Sequence, residues 1–184
     1  MSYGSGPTPY PANQPPYGAP QQFGAPGLAP DIAPLPGASF GEAIKRYFQR
    51  YAQFRGYASR SEYWWPWLMN FVISCAFSLF MIIPILSAMS TVIEAAQNGD
   101  PTVTPVYPSS VYIASGISSL YSLAVLLPNL SSLVRRLHDT GKSGLWFFIL
   151  LVPVAGPIWL LVLLASESRP DLYRPEWSCR PPSS

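Results

Sequence analysis

The chain has 184 residues, of which 49% are hydrophobic and only 11% are charged. A soluble domain carries about 25% charged residues, so this composition excludes an ordinary water-exposed surface. The net charge of +2 is too small for a nucleic-acid reader, which needs a face rich in Lys and Arg. Three long apolar runs are almost free of ionic side chains, which is the distribution that a bilayer selects.

Residues 1–38 are rich in Pro, Gly, Gln and Tyr. Such a segment cannot bury enough apolar area to offset the entropy of ordering it. We therefore predict a disordered cytoplasmic tail with polyproline II character. Its Pro15, Pro16 and Tyr17 could serve a Pro-binding partner, although a plain flexible tail is the favoured interpretation because composition alone specifies no partner.

An amphipathic helix is predicted over residues 39–55. Ser39 and Glu42 have the spacing of a capping box at its start. One apolar stripe follows, formed by Phe40, Ile44, Tyr47, Tyr51 and Phe54. Its basic residues suit a helix lying among lipid headgroups, but the same pattern suits a helix packed on the rest of the protein.

The first transmembrane helix is predicted over residues 65–88. Trp64, Trp65 and Trp67 precede or open it, and indole rings prefer the membrane interface. Its length exceeds the roughly 20 residues that cross the hydrocarbon. Pro84 is expected to kink its far end, and a polar link without Lys or Arg follows it.

A second transmembrane helix is predicted over residues 111–134. Small residues recur three and four apart along one of its faces, which lets membrane helices approach closely. A polar solute path is the alternative, but such paths generally need ionisable groups, and this span has none. Helix packing is therefore assigned to Ser115, Ser118, Ser119 and Ser122.

The third apolar run, residues 145–165, contains Pro153, Gly156 and Pro157. We favour a kinked transmembrane helix, while two half-helices that dip into the membrane and return are the alternative. A polar tail follows over residues 169–184. The predicted fold class is thus an all-α membrane protein, with about three transmembrane helices in a membrane domain over residues 39–168.

The distribution of basic residues predicts the orientation. Five Lys or Arg residues lie between residues 39 and 63, none lies in the first loop, and the second loop contains Arg135, Arg136 and Lys142. Under the positive-inside rule, the amino terminus and the second loop face the cytoplasm. Three spans then place the carboxyl terminus outside, although three arginines in that tail argue against it.

Charged and aromatic residues should form a layer at the cytoplasmic interface. Glu62 and Asp139 could pair with cations there, and each cation near anionic lipid gains about 1 kcal/mol. We expect this layer to combine ion pairs with headgroup contacts. Its predicted members are Arg60, Glu62, Trp64, Arg135, Arg136, His138, Asp139 and Lys142.

No catalytic, cofactor or metal site is predicted. The segment from Thr140 to Ser143 resembles part of a phosphate-binding loop, but Arg136 stands where that motif needs glycine. His138 beside Asp139 could act as a general acid or base, although ordering of the loop is the favoured role. Cys75 and Cys179 lack the spacing of metal ligands or of a disulfide framework.

Two segments resemble the bacterial inner-membrane family called domain of unknown function 805. They are residues 55–64 (RGYASRSEYW) and residues 135–144 (RRLHDTGKSG), and the resemblance covers about residues 40–168. It implies a small multi-pass protein of the inner membrane with no defined biochemical role. Leu145 stands where an aromatic residue often follows the glycine, and the Pro-rich tail looks like an addition.

The leading hypothesis is a non-enzymatic membrane protein that acts through interactions. Its expected partners are anionic lipid headgroups, another membrane protein or a second copy, and a Pro-binding partner for the tail, but no nucleic acid. A small transporter or channel subunit is one alternative. A membrane enzyme that acts on lipid through His138 and Asp139 is another.

Overall fold

The computed structural model describes residues 28–29, 31–100 and 102–178. Within these ranges the secondary structure is helical, which confirms the predicted all-α class. Most of the predicted tail and the last six residues lie outside the described residues. The described helices are α1 (Phe40–Gln49), α2 (Arg60–Gln97), α3 (Ser109–Asp139), a 3-10 helix (Gly144–Leu151), α4 (Ala155–Ala165), a 3-10 turn (Pro170–Leu172) and α5 (Pro175–Ser178).

Capping boxes start the first two helices. Ser39 precedes α1 and Ser59 precedes α2; each serine hydroxyl accepts a hydrogen bond from the backbone of the glutamate three residues on, Glu42 or Glu62. Each glutamate carboxylate accepts one in return from the backbone N–H of its serine. The predicted box at Ser39 is confirmed, whereas α2 begins five residues before the predicted span because of a second box.

Helix α2 is longer than predicted. It continues past residue 88 to Gln97, so that the first part of the predicted polar link is helical. Residues 91–97 hold good helix formers such as Ala95 and Ala96, and Asn98 caps the helix before Gly99 turns the chain with a positive φ. The 38 residues span roughly 57 Å at about 1.5 Å per residue, well beyond the hydrocarbon thickness of about 30 Å.

Helices α2 and α3 have the surface of transmembrane helices. They are the two described helices that are both long and apolar enough to cross a bilayer. Only 6% and 17% of their most apolar stretches are buried within the chain, whereas the core helix of a soluble protein is mostly buried. Leu79, Ile83 and Leu120 are among the side chains left exposed, so the apolar surface is available to lipid.

Helix α1 lies across α2 and α3. Ala43 and Tyr47 are buried against them, and the Trp65 indole donates a hydrogen bond to the Ala38 carbonyl at 3.2 Å. Packing on the protein, one of the two predicted placements, is therefore present. Phe40 and Phe48 remain about half exposed, so the helix also keeps an apolar edge that is available to lipid.

The end of the predicted disordered tail is packed onto the protein. Residues 31–38 lead into α1, and their Ala33, Leu35 and Ala38 side chains are buried. Leu35 and Ala38 form a small apolar cluster with Ala43 of α1. The boundary at residue 38 is thus corrected, because these apolar residues find partners that composition alone does not show.

The third apolar run doubles back. The 3-10 helix Gly144–Leu151 is followed by a reversal at residues 152–154, where Val154 has a φ of 65°, and then by α4. The run begins beside Val134 and His138 and ends where the Arg136 side chain donates to the Leu164 carbonyl at 2.9 Å. Both of its ends therefore lie at the same end of α3.

This geometry corrects the favoured prediction for residues 145–165. A kinked transmembrane helix is not confirmed, and the run follows the alternative of two half-helices that return. The second half-helix is too short to span, because the 11 residues of α4 extend roughly 16 Å, about half of the hydrocarbon thickness. Pro153 cannot donate the backbone hydrogen bond that would join the two halves.

Replacing Gly156 by Ala should destabilise this reversal by about 1–3 kcal/mol, the usual cost of overpacking. A Cβ at Gly156 would overlap the Ile149 carbonyl oxygen, so the two half-helices would have to separate. Thermal unfolding in detergent, followed by tryptophan fluorescence, measures the effect. Gly116→Ala is the matched control in α3, since a Cβ there meets nothing within 4 Å. Equal melting temperatures for the two variants would contradict the close approach.

Candidate functional site

Residues 55–64 and 135–144, which we call the two signature segments, bring their charged and polar residues together at one end of the helices. The loop before α2, the start of α2, the end of α3 and the chain after α4 all converge there. We call this region the junction. It contains two clusters, each centred on a buried carboxylate, Glu62 in the first and Asp139 in the second.

The Glu62 cluster joins the segment before α1 to α1 and α2. The Glu62 carboxylate forms an ion pair with the Arg46 side chain and lies 3.7 Å from Arg50 Nη1. Its other oxygen accepts hydrogen bonds from the backbone N–H of Leu35 at 2.7 Å and of Ser59 at 3.0 Å. One carboxylate thus caps α2 and also holds α1 and the preceding segment.

Three arginines surround Glu62. Arg46 and Arg50 both donate to the Ala33 carbonyl, at 2.6 and 3.2 Å, and Arg135 is close enough to interact electrostatically with Arg50 and Glu62. Burial and the positive charge of Arg46, partly opposed by the negative charges of Glu62 and Asp31, together lower the pKa of Arg50 to about 10. Arg50 therefore stays charged at neutral pH, and the cluster has more positive than negative charge.

The Asp139 cluster joins the end of α3 to the chain after α4. Asp139 forms an ion pair with Arg136, and neither side chain is exposed to solvent. The carboxylate also accepts hydrogen bonds from the Ser168 and Tyr173 hydroxyls. Burial and the negative charge of Asp139 raise the pKa of Tyr173, so that its hydroxyl remains a donor.

The Arg136 side chain holds three segments together. Its Nε donates to the Leu164 carbonyl, Nη2 donates to the Ser166 carbonyl, and Nη1 lies 3.5 Å from the Ala58 carbonyl. The last carbonyls of a helix have no partner within that helix, so Arg136 supplies donors at the end of α4. A buried cation that bonds one carboxylate and several carbonyls has a structural role, because it holds the segments that carry those groups together; we call this role fastening.

Two aromatic stacks attach the carboxyl-terminal segment to the junction. Tyr57 and Tyr173 stack with ring centroids 3.6 Å apart, and His138 stacks on Trp177 with centroids 4.5 Å apart. His138 Nδ1 lies 3.3 Å from the Gly56 carbonyl, and the Gly56 N–H donates to the Trp177 carbonyl at 2.8 Å. The chain after α4 therefore packs against both signature segments.

The segment that resembles a phosphate-binding loop is the end of a helix. The Gly141 N–H donates to the His138 carbonyl at 2.9 Å, and the Lys142 N–H donates to the Leu137 carbonyl at 2.9 Å. This is the hydrogen-bond pattern of a Schellman motif, which needs a positive φ at its glycine, and Gly141 has a φ of 75°. These two N–H groups are bonded within the helix end instead of pointing to a ligand.

The structure separates the predicted interface residues into two groups. Arg135, Arg136 and His138 are buried inside the protein, which corrects the expectation that they contact lipid headgroups. They are covered by α1 and by the carboxyl-terminal segment, whose positions no local pattern indicates. Arg60 is about half exposed and lies 3.8 Å from Glu167, while the Lys142 ammonium lies 5.5 Å from the Trp146 ring centroid.

The remaining predicted residues are placed as follows. Trp64 packs edge-on against Tyr63 and Trp67 at the start of α2. The Ser119 and Ser122 hydroxyls donate to carbonyls of their own helix, those of Ser115 and Ser118, at 2.8 and 2.9 Å. These four serines line a crevice of about 380 Å³ between α2 and α3, and their role in helix packing stays a prediction.

Several residues of the junction were not among the predicted site residues. The spacing of Ser59 and Glu62 was a usable signal of a capping box. The inward positions of the other missed residues carry no local signal, because each partner is distant in sequence. These residues are Arg46, Arg50, Tyr57, Ser168, Tyr173 and Trp177. No group of three metal-ligating side chains exists among the residues that the structure describes.

Comparison with known proteins gives one family. The family described as "Protein of unknown function (DUF805)" matches residues 51–174. The inner membrane protein YhaI of Escherichia coli (strain K12) is 30% identical over 119 residues, which cover 65% of this chain and 79% of YhaI. The inner membrane protein YhaH of the same strain is 27% identical over 119 residues, covering 65% and 78% of the two chains. No solved structure matches the chain.

Proposed function

This chain belongs to the DUF805 family, and from that premise we propose that it is a non-enzymatic protein of the inner membrane that acts as an interaction platform. By platform we mean a rigid junction that holds both terminal segments on the cytoplasmic side, where they meet protein or lipid partners. Two relatives, YhaI and YhaH, are named as inner membrane proteins, which supports the location.

The observation that carries the proposal is how the junction uses its polar residues. Asp139 is bonded to Arg136, Ser168 and Tyr173, and His138 lies against Trp177 and Gly56. A general acid or base must reach the substrate, but the Asp139 side chain is fully buried. This geometry favours fastening over acid–base chemistry at His138 and Asp139.

The proposed topology has two spans and a returning third segment. Residues 144–166 begin and end beside the same end of α3, which supports a carboxyl-terminal segment on the same side of the membrane as the amino-terminal segment. Exposed Arg169 and Arg174 then join Arg60 on one side, in agreement with the positive-inside rule. With this topology, the arginines of the carboxyl-terminal segment no longer lie on the non-cytoplasmic side, where the positive-inside rule disfavours them.

On the cytoplasmic side, the exposed cations are the ones that contact lipid. Arg60 lies beside Trp64 and Trp65 at a surface that these aromatic residues share with Leu68. A cation next to interfacial tryptophans is well placed for an anionic headgroup. The residues before α1 have a different role: the buried Ala33 and Leu35 anchor the end of the tail next to α1, and we assign the contact with partners to the residues that precede them.

Cysteine labelling tests the topology. In a background with Cys75→Ser and Cys179→Ser, we expect Thr102→Cys to react with a membrane-impermeant thiol reagent in intact cells. Glu167→Cys should react only after permeabilisation, and its site is suitable because the Glu167 side chain is 89% exposed. Labelling of both Thr102→Cys and Glu167→Cys in intact cells would refute the returning segment, and labelling of Glu167→Cys alone would refute the cytoplasmic placement of the junction.

A deletion tests the platform itself. Removing residues 1–27 keeps the buried Ala33 and Leu35, so the fold should persist with an unchanged melting temperature. Crosslinking in cells should then lose partners that the full-length chain captures. An identical partner set with and without residues 1–27 would show that the tail contributes nothing to the interactions.

A further inference from the structure

A side cavity of about 530 Å³ lies where α2, α3 and the start of the third apolar run meet. Trp67, Phe71, Leu126 and Phe147 are among the residues that form its mostly apolar wall. Its size falls within the range of roughly 300–1,000 Å³ that is usual for small-molecule sites. Of the described residues that line it, none carries a charge at neutral pH.

A polar network forms one wall of the cavity. The Tyr47 hydroxyl donates to Asn129 Oδ1 at 2.7 Å, and Asn70 Nδ2 donates to the Pro66 carbonyl at 2.8 Å and to Asn129 Oδ1 at 3.3 Å. The Tyr121 hydroxyl donates to Asn70 Oδ1. Because the Pro66 carbonyl oxygen can only accept, the Asn70 atom that meets it must be Nδ2, and the Asn129 atom that meets Asn70 Nδ2 must then be Oδ1.

The Asn129 amide nitrogen is left over. It donates to none of the described residues. Asn129 is exposed and is one of the residues that line the cavity, which makes this amide a candidate donor to a ligand there. A donor without a partner is costly in hydrocarbon, where water cannot satisfy it.

The depth of this donor indicates the ligand. Asn70 comes ten residues after the start of α2, and Asn129 comes ten residues before the end of α3. Both therefore lie roughly 15 Å from the junction end at about 1.5 Å per residue. The interfacial Trp67 is one turn nearer that end, so the donor sits just below the headgroup level, with apolar wall around it.

We propose that this cavity holds one acyl chain of an anionic phospholipid from the cytoplasmic leaflet, with its ester carbonyl accepting a hydrogen bond from Asn129 Nδ2. The apolar wall of the cavity can contact the acyl chain, the Asn129 amide can donate to the ester carbonyl, and the positive charge of Lys142 can pair with the phosphate. Lys142 lies against Trp146, which directly precedes the wall residue Phe147. The inference rests on the membrane placement in the proposed function and assigns the platform a specific lipid.

Lipid titration of the purified full-length chain tests the site. After delipidation in detergent, dioleoyl phosphatidylglycerol should raise the melting temperature in a saturable way. Leu126→Trp, which fills the cavity with a larger ring, should weaken the apparent affinity about tenfold or more. Leu123→Trp is the matched control one turn away, because Leu123 is similarly exposed and does not line the cavity. It should bind within about twofold of the original chain.

Two further measurements complete the test. Asn129→Leu removes the donor, together with the acceptor of Tyr47 and Asn70, and should weaken binding at least about threefold to tenfold, the effect of one hydrogen bond. Tyr47→Phe, which removes the Tyr47 bond and keeps the Asn129 donor, is the control and should bind within about twofold of the original chain. Glycerol phosphate, the headgroup without chains, should leave the melting temperature unchanged. Equal affinities for Leu126→Trp and Leu123→Trp, or a full shift with glycerol phosphate, would overturn the proposal. The cysteine labelling pattern does not depend on lipid, so failure of the platform topology is recognised separately.

Discussion

Asp139→Asn is expected to lower the free energy of unfolding by about 3–5 kcal/mol, because it leaves Arg136 as a buried charge without a counterion. Both side chains of this pair are sealed from solvent, and Arg136 cannot lose its proton at neutral pH. The asparagine side chain has nearly the same shape as aspartate, so the loss of stability measures the removal of the negative charge more than a change in packing. Thermal unfolding in detergent and the protein level in membranes measure the effect.

Asp171→Asn is the matched control for Asp139→Asn. Asp171 also pairs with an arginine, Arg169 at 3.1 Å, but the Asp171 side chain is 60% exposed. Exposed pairs contribute about 0–1 kcal/mol, so this variant should unfold close to the original temperature. If the two variants were destabilised equally, the Asp139 cluster would not be the fastening that we describe.

Glu62→Gln should have an effect of similar size, about 3 kcal/mol or more, since it removes the buried carboxylate that pairs with Arg46 and Arg50 and interacts with Arg135. Glutamine preserves the capping box at the start of α2, so helix capping is not what changes. The repulsion between Arg46 and Arg50, which already lowers the pKa of Arg50, would lose the more strongly acting of the two charges that oppose it, those of Glu62 and Asp31. Thermal unfolding in detergent again measures the loss.

Glu42→Gln provides the comparison within the same motif. Glu42 and Glu62 each occupy the third position of a helix after a capping serine, but Glu42 is exposed, and its carboxylate accepts hydrogen bonds from Ser39. A glutamine side chain keeps that bond, so the change should stay below about 0.5 kcal/mol. A loss at Glu42→Gln as large as at Glu62→Gln would assign the effect to capping and not to the arginine cluster.

The two capping boxes differ in how far local sequence predicts their roles. At Ser39, the spacing and the following apolar stripe were sufficient to predict both the helix and its start. At Ser59, the same spacing starts α2, but it cannot show that Glu62 also binds α1 and Leu35. The extra role depends on segments that come together only when α1 crosses α2.

The third apolar run shows the same limit in another form. Its composition suits a span, and its prolines suit both a kink and a break. The choice between them depends on contacts that bring residue 156 against residue 149 and the end of α4 against Arg136. The first contact joins residues seven apart, a spacing that a continuous helix would also show, and the second joins residues 28 apart, so neither gives a periodic signal of the reversal.

The amino-acid sequence by itself determined that this is a helical membrane protein, where its two long apolar helices lie, and which short segments carry its family signature. These properties follow from local composition and from spacings of three or four residues, which act within one helix. Only the tertiary structure decided that the third run returns, that residues 31–38 are packed, and that Arg135, Arg136 and His138 face inward. The local sequence around a basic side chain next to a membrane is the same whether that side chain faces lipid or protein. The inward position is selected by buried carboxylates and carbonyls that come from distant segments.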